Sequence, residues 1–359
     1  MASINDLRAA KRVIRSQVLQ LGLGGQVIGR RPTLSVHAAV GNAGRNVHAV
    51  GIGRKRTAEN TGNDLAVRLY VVQKLPESLL SPRDRLPTEI NGIPTDVVEA
   101  DPAYLLVKRR SKKPAPAGGP KAAAASCSTR RREKQRPVVA GISAGHRDIT
   151  AGTLGTFCRS MRLTDDPSAT YVLSNNHVFA NVNAALIGDP LYQQGPADGG
   201  TYLEHFANLH RFVEIQMGGV TPNRVDAALG ILLGGVGHVP EICSIGEIVG
   251  TKEPEAEMLV RKHGRTTGYS EGKIDDIEYD ALVGMDHNDP SVVALFEDQL
   301  RIVTTTSEPF GLGGDSGSAV VDRTEAAIVG LYFAGPASGT YGVANKIDHV
   351  LTELEIGIP

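Results

Sequence analysis

Residues 311–320 read Gly311-Leu312-Gly313-Gly314-Asp315-Ser316-Gly317-Ser318-Ala319-Val320. One serine stands between glycines, and an apolar run follows directly. A nucleophilic serine needs backbone that bends closely around it and amide N–H groups free to point at a developing oxyanion. Glycine allows both. The strand-to-helix elbow G-x-S-x-G is not met, because Ser318 occupies its last glycine position and no helix pattern follows.

A serine hydroxyl is inert at its ordinary pKa, so a base must accompany it. Leu173-Ser174-Asn175-Asn176-His177-Val178-Phe179 puts a histidine just after an apolar strand, and Asn223-Arg224-Val225-Asp226-Ala227-Ala228-Leu229 puts a carboxylate at the mouth of another. The chain order is His, Asp, Ser, with gaps of 49 and 90 residues, which differs from the orders of subtilisin-like and α/β-hydrolase enzymes. Other candidates are weaker. His205 and His210 lie five apart, wrong for one helix face, and Asp189 and Asp198 sit in Gly/Pro-rich loops that turn chemistry explains. No metal site and no cofactor are expected.

On these segments, residues 138–356 resemble a chymotrypsin/trypsin-like serine peptidase domain. Lys262-His263-Gly264-Arg265-Thr266-Thr267-Gly268 resembles a strand and turn of bacterial and fungal members, and 330–335 resembles the strand that walls the substrate cleft. The resemblance implies a two-barrel fold, with Ser316 as nucleophile, His177 as general base and Asp226 holding the imidazole. It also implies an oxyanion hole made by the backbone N–H groups of Gly314 and Ser316. Phe310, Phe333 and Gly335 would line the substrate pocket. Phe310 replaces the acid that selects Lys or Arg, so cleavage after small or apolar residues is expected. The wall strand carries Tyr332-Phe333-Ala334-Gly335 where a serine usually backs the triad aspartate. Asp315 either pairs with a terminus freed near Arg136–Val138 or is satisfied internally, and the second is the expectation.

Outward from the site, 359 residues favour more than one core. Forty-one glycines and 20 prolines favour a turn-rich β protein, and no apolar run is long enough to span a membrane. Strands are expected near 153–158, 171–173, 211–215, 227–233, 245–249, 259–262, 300–304, 318–321 and 327–333, with a helix over 348–355. Residues 1–107 read as a small α+β domain with a regulatory or recruiting role. Ile4, Leu7, Ala10, Ile14, Val18 and Leu21 keep helical spacing up to Gly22 and Gly24. Strands follow at 48–53 and 65–72, then a short helix at 75–80 and a hairpin around Gly92. Gly51-Ile52-Gly53 lacks the third glycine and following helix of a nucleotide loop, so an edge strand or bulge is expected there.

Residues 108–136 hold eleven Lys/Arg against the single Glu133, leaving 27 Lys/Arg against 38 Asp/Glu elsewhere, a net of −11. With almost no large apolar residue, this stretch reads as a flexible basic linker. Contact with nucleic acid is the alternative to a solvated spacer. Cys127, Cys158 and Cys243 are odd in number and fit no zinc spacing, so no disulfide is expected. The start lacks a secretory pattern, and a cytoplasmic place is expected. The resulting expectation is a serine endopeptidase acting on protein or peptide substrates. Its N-terminal domain would meet a regulatory partner, without membrane or nucleic acid. A catalytically silent peptidase-fold binding module is the alternative.

Overall fold

A computed structural model describes residues 2–19, 46–56, 61–80, 82, 85–105, 126–286, 289 and 292–358. Residues 108–125 of the expected linker, and the expected helix end at Gly22 and Gly24, lie outside them. The chain is mainly β and forms two compact units. Neither is one continuous stretch.

The first unit comprises Met1–Tyr104, Gln216–Arg224 and Ile274–Arg301. The expected 1–107 domain thus lacks two pieces that sequence order had put in the peptidase region. The helix Ile4–Val18 begins on a capping box, in which Ser3 and Asp6 satisfy each other's amides. It buries Leu7, Ala10, Ile14 and Val18 against Val50, Ile52, Val67, Leu69 and Leu282. Its basic residues face strand carboxylates: Lys11 reaches Asp280 at 2.7 Å, Arg15 reaches Asp280 at 3.3 Å, and Arg8 bonds Glu278.

The strand Val47–Arg56 pairs antiparallel with Thr61–Val71 on one side and with Gly268–Gly284 on the other. It is interior, which corrects the edge reading of Gly51 and Gly53, although the bulge is present between Val50 and Gly53. The glycines have a steric cause. A Cβ on Gly53 would fall 2.2 Å from the Asp276 carboxylate and 2.6 Å from the Arg68 guanidinium, and one on Gly51 2.9 Å from Asp276. Ile93–Glu99 pairs parallel with Thr61–Val71 and antiparallel with Glu89–Ile90 around Asn91-Gly92. The expected short helix is a single turn at Glu77–Leu79.

The second unit comprises Leu105–Ile215, Val225–Lys273 and Ile302–Pro359. One sheet runs Ile356–Gly357, Thr156–Ser160, Tyr171–Ser174, Ala228–Leu232, His205–Phe212, Pro190–Tyr192, Ser143–His146 and Gly152–Thr153 in spatial order. A second set runs Tyr341–Lys346, Ile328–Gly335, Ala319–Asp322 and Leu259–Gly264, then the first residues of Gly268–Gly284. Phe157, Leu173, Val178, Phe179, Leu229 and Leu331 lie in its core, and the helix Ile347–Leu354 closes the chain.

Two expectations are overturned here. Cys127 and Cys243 form a disulfide, with Cα atoms 5.9 Å apart across 116 residues of sequence. Cys158 alone is a free, buried thiol. An odd count hides such a pair, because only the fold brings partners that distant together. The ground for a reducing, cytoplasmic setting goes with it. Secondly, residues 126–136 belong to this unit and carry ordered turns, which corrects the reading of that part as flexible linker. Gln135 is buried and donates to the carbonyls of Cys127 and Arg130, while its own amide donates to Gln193 Oε1 at 3.0 Å.

Candidate active site

His177 lies in a single helical turn, Asn176–Phe179, immediately after the strand Tyr171–Ser174. Asp226 precedes the neighbouring strand Ala228–Leu232, whose register pairs Ser174 with Ala228. The pairing sets the carboxylate beside the ring: His177 Nδ1 is 2.5 Å from Asp226 Oδ2, and the His177 amide donates to Oδ1 at 3.2 Å. Both residues are buried. An ionised carboxylate only accepts hydrogen bonds, so Nδ1 carries the proton and Nε2 presents a lone pair. Nε2 is buried and finds no partner among the described residues.

Two asparagines hold the Asp226 backbone. Asn345 Oδ1 accepts from the Asp226 amide at 2.9 Å, and Asn175 Nδ2 donates to the Asp226 carbonyl at 2.7 Å. Neither asparagine stood out in the sequence. Asn175 was in plain view two residues before His177, whereas Asn345 lies on a strand that periodicity did not reveal.

Ser316 is fully buried and follows Asp315 in a tight turn ahead of Ala319–Asp322. Gly317 packs against Ser174, so the serine and histidine loops meet. A Cβ at Gly317, where φ is +94°, would lie 2.2 Å from both Ser174 Oγ and the Thr153 carbonyl. The Ser316 hydroxyl donates to the Phe333 carbonyl at 3.2 Å, not to Nε2.

Around it, the peptide units are set one by one. The C=O and N–H of a trans peptide point in opposite directions, so holding the carbonyl aims the amide. Thr266 Oγ1 donates to the Gly313 carbonyl at 2.6 Å, which turns the Gly314 N–H the other way. Ser318 donates to the Asp315 carbonyl through its hydroxyl at 2.6 Å and its amide at 3.0 Å, which does the same for the Ser316 N–H. Thr153 Oγ1 holds the Gly314 carbonyl at 2.9 Å. Among the described residues, neither the Gly314 nor the Ser316 amide donates within the chain.

Asp315 is buried and satisfied internally. Oδ1 accepts from the amides of Thr266 and Thr267 at 2.7 and 3.1 Å, and Oδ2 from the Leu312 amide and Thr267 Oγ1 at 2.9 Å each. Lys262 Nζ stands 3.5 Å from Oδ2, with both side chains out of water. Burial lowers the Lys262 pKa, and Asp315 opposes that shift. Val138 is a buried strand residue whose amide donates to Gly237 at 2.8 Å.

Phe310 is buried with its ring 6.1 Å from that of Tyr332, and Lys262 Nζ lies 5.5 Å from both ring centres. The unforeseen member is Tyr332. A Cβ at Gly311 would meet its ring at 2.5 Å, one at Gly342 would meet it at 2.5 Å, and one at Gly335 would stand 3.2 Å from its hydroxyl. The hydroxyl is buried without a partner among the described residues, and burial beside Asp315 holds the phenol protonated. The register slips between Tyr332 and Ala334, so strict alternation would have misassigned the side that Tyr332 faces.

Of the remaining candidates, Asp189, His205 and His210 bond groups outside this cluster. Asp189 accepts the Leu186 amide at 2.8 Å, as a turn aspartate does. Asp198 does more than shape a turn: it takes both arms of the Arg265 guanidinium at 2.7 and 2.6 Å and the Ser143 hydroxyl at 2.6 Å. His205 contacts Asn208, and His210 contacts Asp165. Among the described residues no group of three or more His, Cys, Asp or Glu is placed to hold a metal, and no helix is long and apolar enough to cross a membrane.

No family model matches the chain, and no curated protein matches it. Solved structures do. The similarity is to serine proteases of the chymotrypsin kind. Thermobifida fusca protease A is 14% identical over 62% of this chain and 97% of its own, with a TM-score of 0.42. A glutamic-acid-specific serine protease that uses a histidine triad in substrate binding is 14% identical over 62% and 100%, with a TM-score of 0.44. An α-lytic protease homologue is 18% identical over 62% and 99%, with a TM-score of 0.43.

Proposed function

We propose that the chain is a serine endopeptidase in which Ser316, His177 and Asp226 act as a triad. The observation that carries this reading is the His177–Asp226 pair, which fixes one tautomer and leaves a buried Nε2 lone pair, on a segment that the glycine-framed serine loop meets at Gly317 and Ser174. In the reaction the Ser316 hydroxyl turns from the Phe333 carbonyl to Nε2. Its oxygen attacks the substrate carbonyl carbon while the proton passes to Nε2. The oxyanion accepts from the Gly314 and Ser316 amides, and Asp226 stabilises the imidazolium without taking its proton. Collapse of the tetrahedral species breaks the C–N bond, and Nε2 returns the proton to the leaving amine. Water, activated by the same imidazole, then hydrolyses the acyl-enzyme.

The substrate side is expected to admit small uncharged residues. Tyr332 occupies the space between Gly311, Gly335 and Gly342, and Phe310 lies below it. Lys262 behind both rings disfavours a second cation, and a buried arginine or lysine there would lack a partner. The N-terminal unit is proposed to recruit or regulate substrates. Nucleic-acid binding through the basic stretch gains little support from its described part, because Arg130 pairs with Glu133 and Arg131 and Arg132 bond the 265–266 carbonyls.

One observation favours a catalytically silent scaffold: the Ser316 hydroxyl bonds Phe333 instead of His177. Labelling with a fluorophosphonate probe separates the two readings without knowledge of the substrate. The endopeptidase reading expects labelling of the wild type and none of Ser316→Ala. Absence of labelling in the wild type would establish the silent scaffold.

A further inference from the structure

We propose that residues 126–136 are a positioning strap for the oxyanion loop, and that turnover depends on the Cys127–Cys243 disulfide that closes the strap. The proposal rests on the endopeptidase reading and adds a control element to it.

The strap is tied down along its length. Cys127 is bonded to Cys243, whose amide donates to the Ala140 carbonyl at 3.0 Å. The Ser143 amide donates to the Arg131 carbonyl at 2.8 Å, and the Gln193 side chain bonds both the Glu133 carbonyl and the Gln135 amide. Ser128 Oγ meets His263 Nε2 at 3.0 Å, while His263 Nδ1 contacts the Gly141 carbonyl at 2.8 Å. The result is that the Arg131 guanidinium is presented to the turn 265–267.

There the geometry is specific. Arg131 Nε donates to the Arg265 carbonyl and Nη2 to the Thr266 carbonyl, each at 3.1 Å. The amide on the other side of the first peptide unit is that of Thr266, and on the other side of the second that of Thr267. Both amides donate to Asp315 Oδ1. Two rigid peptide units are therefore clamped between one guanidinium and one carboxylate, with their dipoles running from the positive to the negative end. Rotation of either unit would break a bond at each end. Thr266 also holds the Gly313 carbonyl and so aims the Gly314 amide. Arg131 thus acts through the turn on both Asp315 and the oxyanion donor. Arg132 adds a bond to the Arg265 carbonyl at 3.2 Å.

An uncoupled turn would leave substrate contacts elsewhere intact while the oxyanion donors lose their alignment. The expected signature is a fall in kcat at unchanged KM. Losing one oxyanion donor costs on the order of 10²-fold, which sets the scale for Arg131→Ala. Arg131→Lys keeps the charge but cannot fork across two carbonyls, so it should fall between wild type and Arg131→Ala. Lys134→Ala is the control within the strap, because Lys134 bonds the Leu203 carbonyl and not the 265–267 turn.

The test uses the full chain, oxidised and after thiol reduction confirmed by mass. It measures kcat and KM on a peptide substrate, probe labelling rate, and amide hydrogen exchange over 312–318. Reduction of the wild type and Arg131→Ala should each lower kcat and speed exchange over 312–318, while Lys134→Ala changes neither. Unchanged kcat and unchanged exchange on reduction and in Arg131→Ala would overturn the proposal. A loss of kcat shared equally by Lys134→Ala would overturn the specific role of Arg131. Exchange reads the strap even if Ser316 never labels, so failure of the endopeptidase reading is separately visible.

Discussion

Each unit buries carboxylates, and the two do it differently. In the first, Asp275 and Asp276 face full charges. Arg68 Nη1 lies 3.0 Å from Asp275 and 3.3 Å from Asp276, and Arg301 pairs with Asp275. Tyr70 bonds Asp276 and carries Arg301 4.8 Å from its ring centre. Burial pushes the Asp276 pKa up against the pull of Arg68. In the second unit, Asp226 and Asp315 are met chiefly by backbone amides and neutral side chains, with one lysine 3.5 Å from Asp315. A charge held by charges joins strands that already exist. A charge held by amides dictates where peptide units point, which is what an oxyanion site requires. The first arrangement is expected to govern stability and the second turnover.

The largest effect tests the second half of that contrast. Ser316→Ala and His177→Ala should each lower kcat/KM by about 10⁴-fold or more, because triad members act as a unit, with thermal unfolding little changed. Near-wild-type labelling in His177→Ala would remove His177 as the base. In the first unit, Arg68→Ala should cost about 3–5 kcal/mol in denaturant unfolding, since it removes the guanidinium shared by two buried carboxylates and leaves Asp276 with no cation at salt-bridge distance among the described residues. Labelling per folded molecule should stay the same. A slowed labelling rate there would break the division between stability and turnover.

Acid offers a comparison on equal terms, because each unit buries one histidine whose pKa falls to about 4. Burial is the main cause for both His48 and His263, partly offset by bonds to the Ala100 and Gly141 carbonyls. Unfolded, each titrates near 6.5. The unfolded state therefore binds more protons between pH 6.5 and about 4. Each contribution is complete above pH 6.5 and is lost as pH falls through that window, to a total of about 3 kcal/mol per histidine. His48→Gln and His263→Gln should each flatten the dependence of urea midpoint on pH in that range. An unchanged slope in both would refute the assignment. The smallest effect is expected from Asp315→Asn, which keeps the shape but sets an NH₂ among donors. It should lower kcat by on the order of 10²-fold and leave KM in place, and a changed KM with unchanged kcat would contradict it.

The candidate-site segments were legible because the chemistry they would serve constrains short stretches of sequence. Glycines flank Ser316, and His177 and Asp226 each adjoin an apolar strand. The strap was not legible. Its run of arginines follows an alanine-, glycine- and proline-rich stretch and reads with it as one solvated spacer, and a pairing across 116 residues leaves no local trace. The strand Gly268–Gly284 was missed for the opposite reason. Asp275, Asp276, Glu278 and Asp280 are buried, and nothing in their spacing says that Arg68, Arg301 and Lys11 await them. With that strand unseen, 274–301 was counted with the peptidase region. Tyr332 was hidden by a slip in register that no periodicity can report.

The division of the first unit into three segments has a consequence for synthesis. Residues up to Tyr104 leave the ribosome well before the last segment of their unit, which ends at Arg301. At roughly 5–20 residues per second, the roughly 200 residues between them take about 10–40 s. For that interval the Val47–Arg56 strand lacks its partner in Gly268–Gly284, and Arg68 lacks both of its carboxylates. Ser316 emerges later still. A nascent chain therefore carries an unfinished first unit before Ser316 is made, and on the proposed function the stage most exposed to aggregation precedes any capacity to cut.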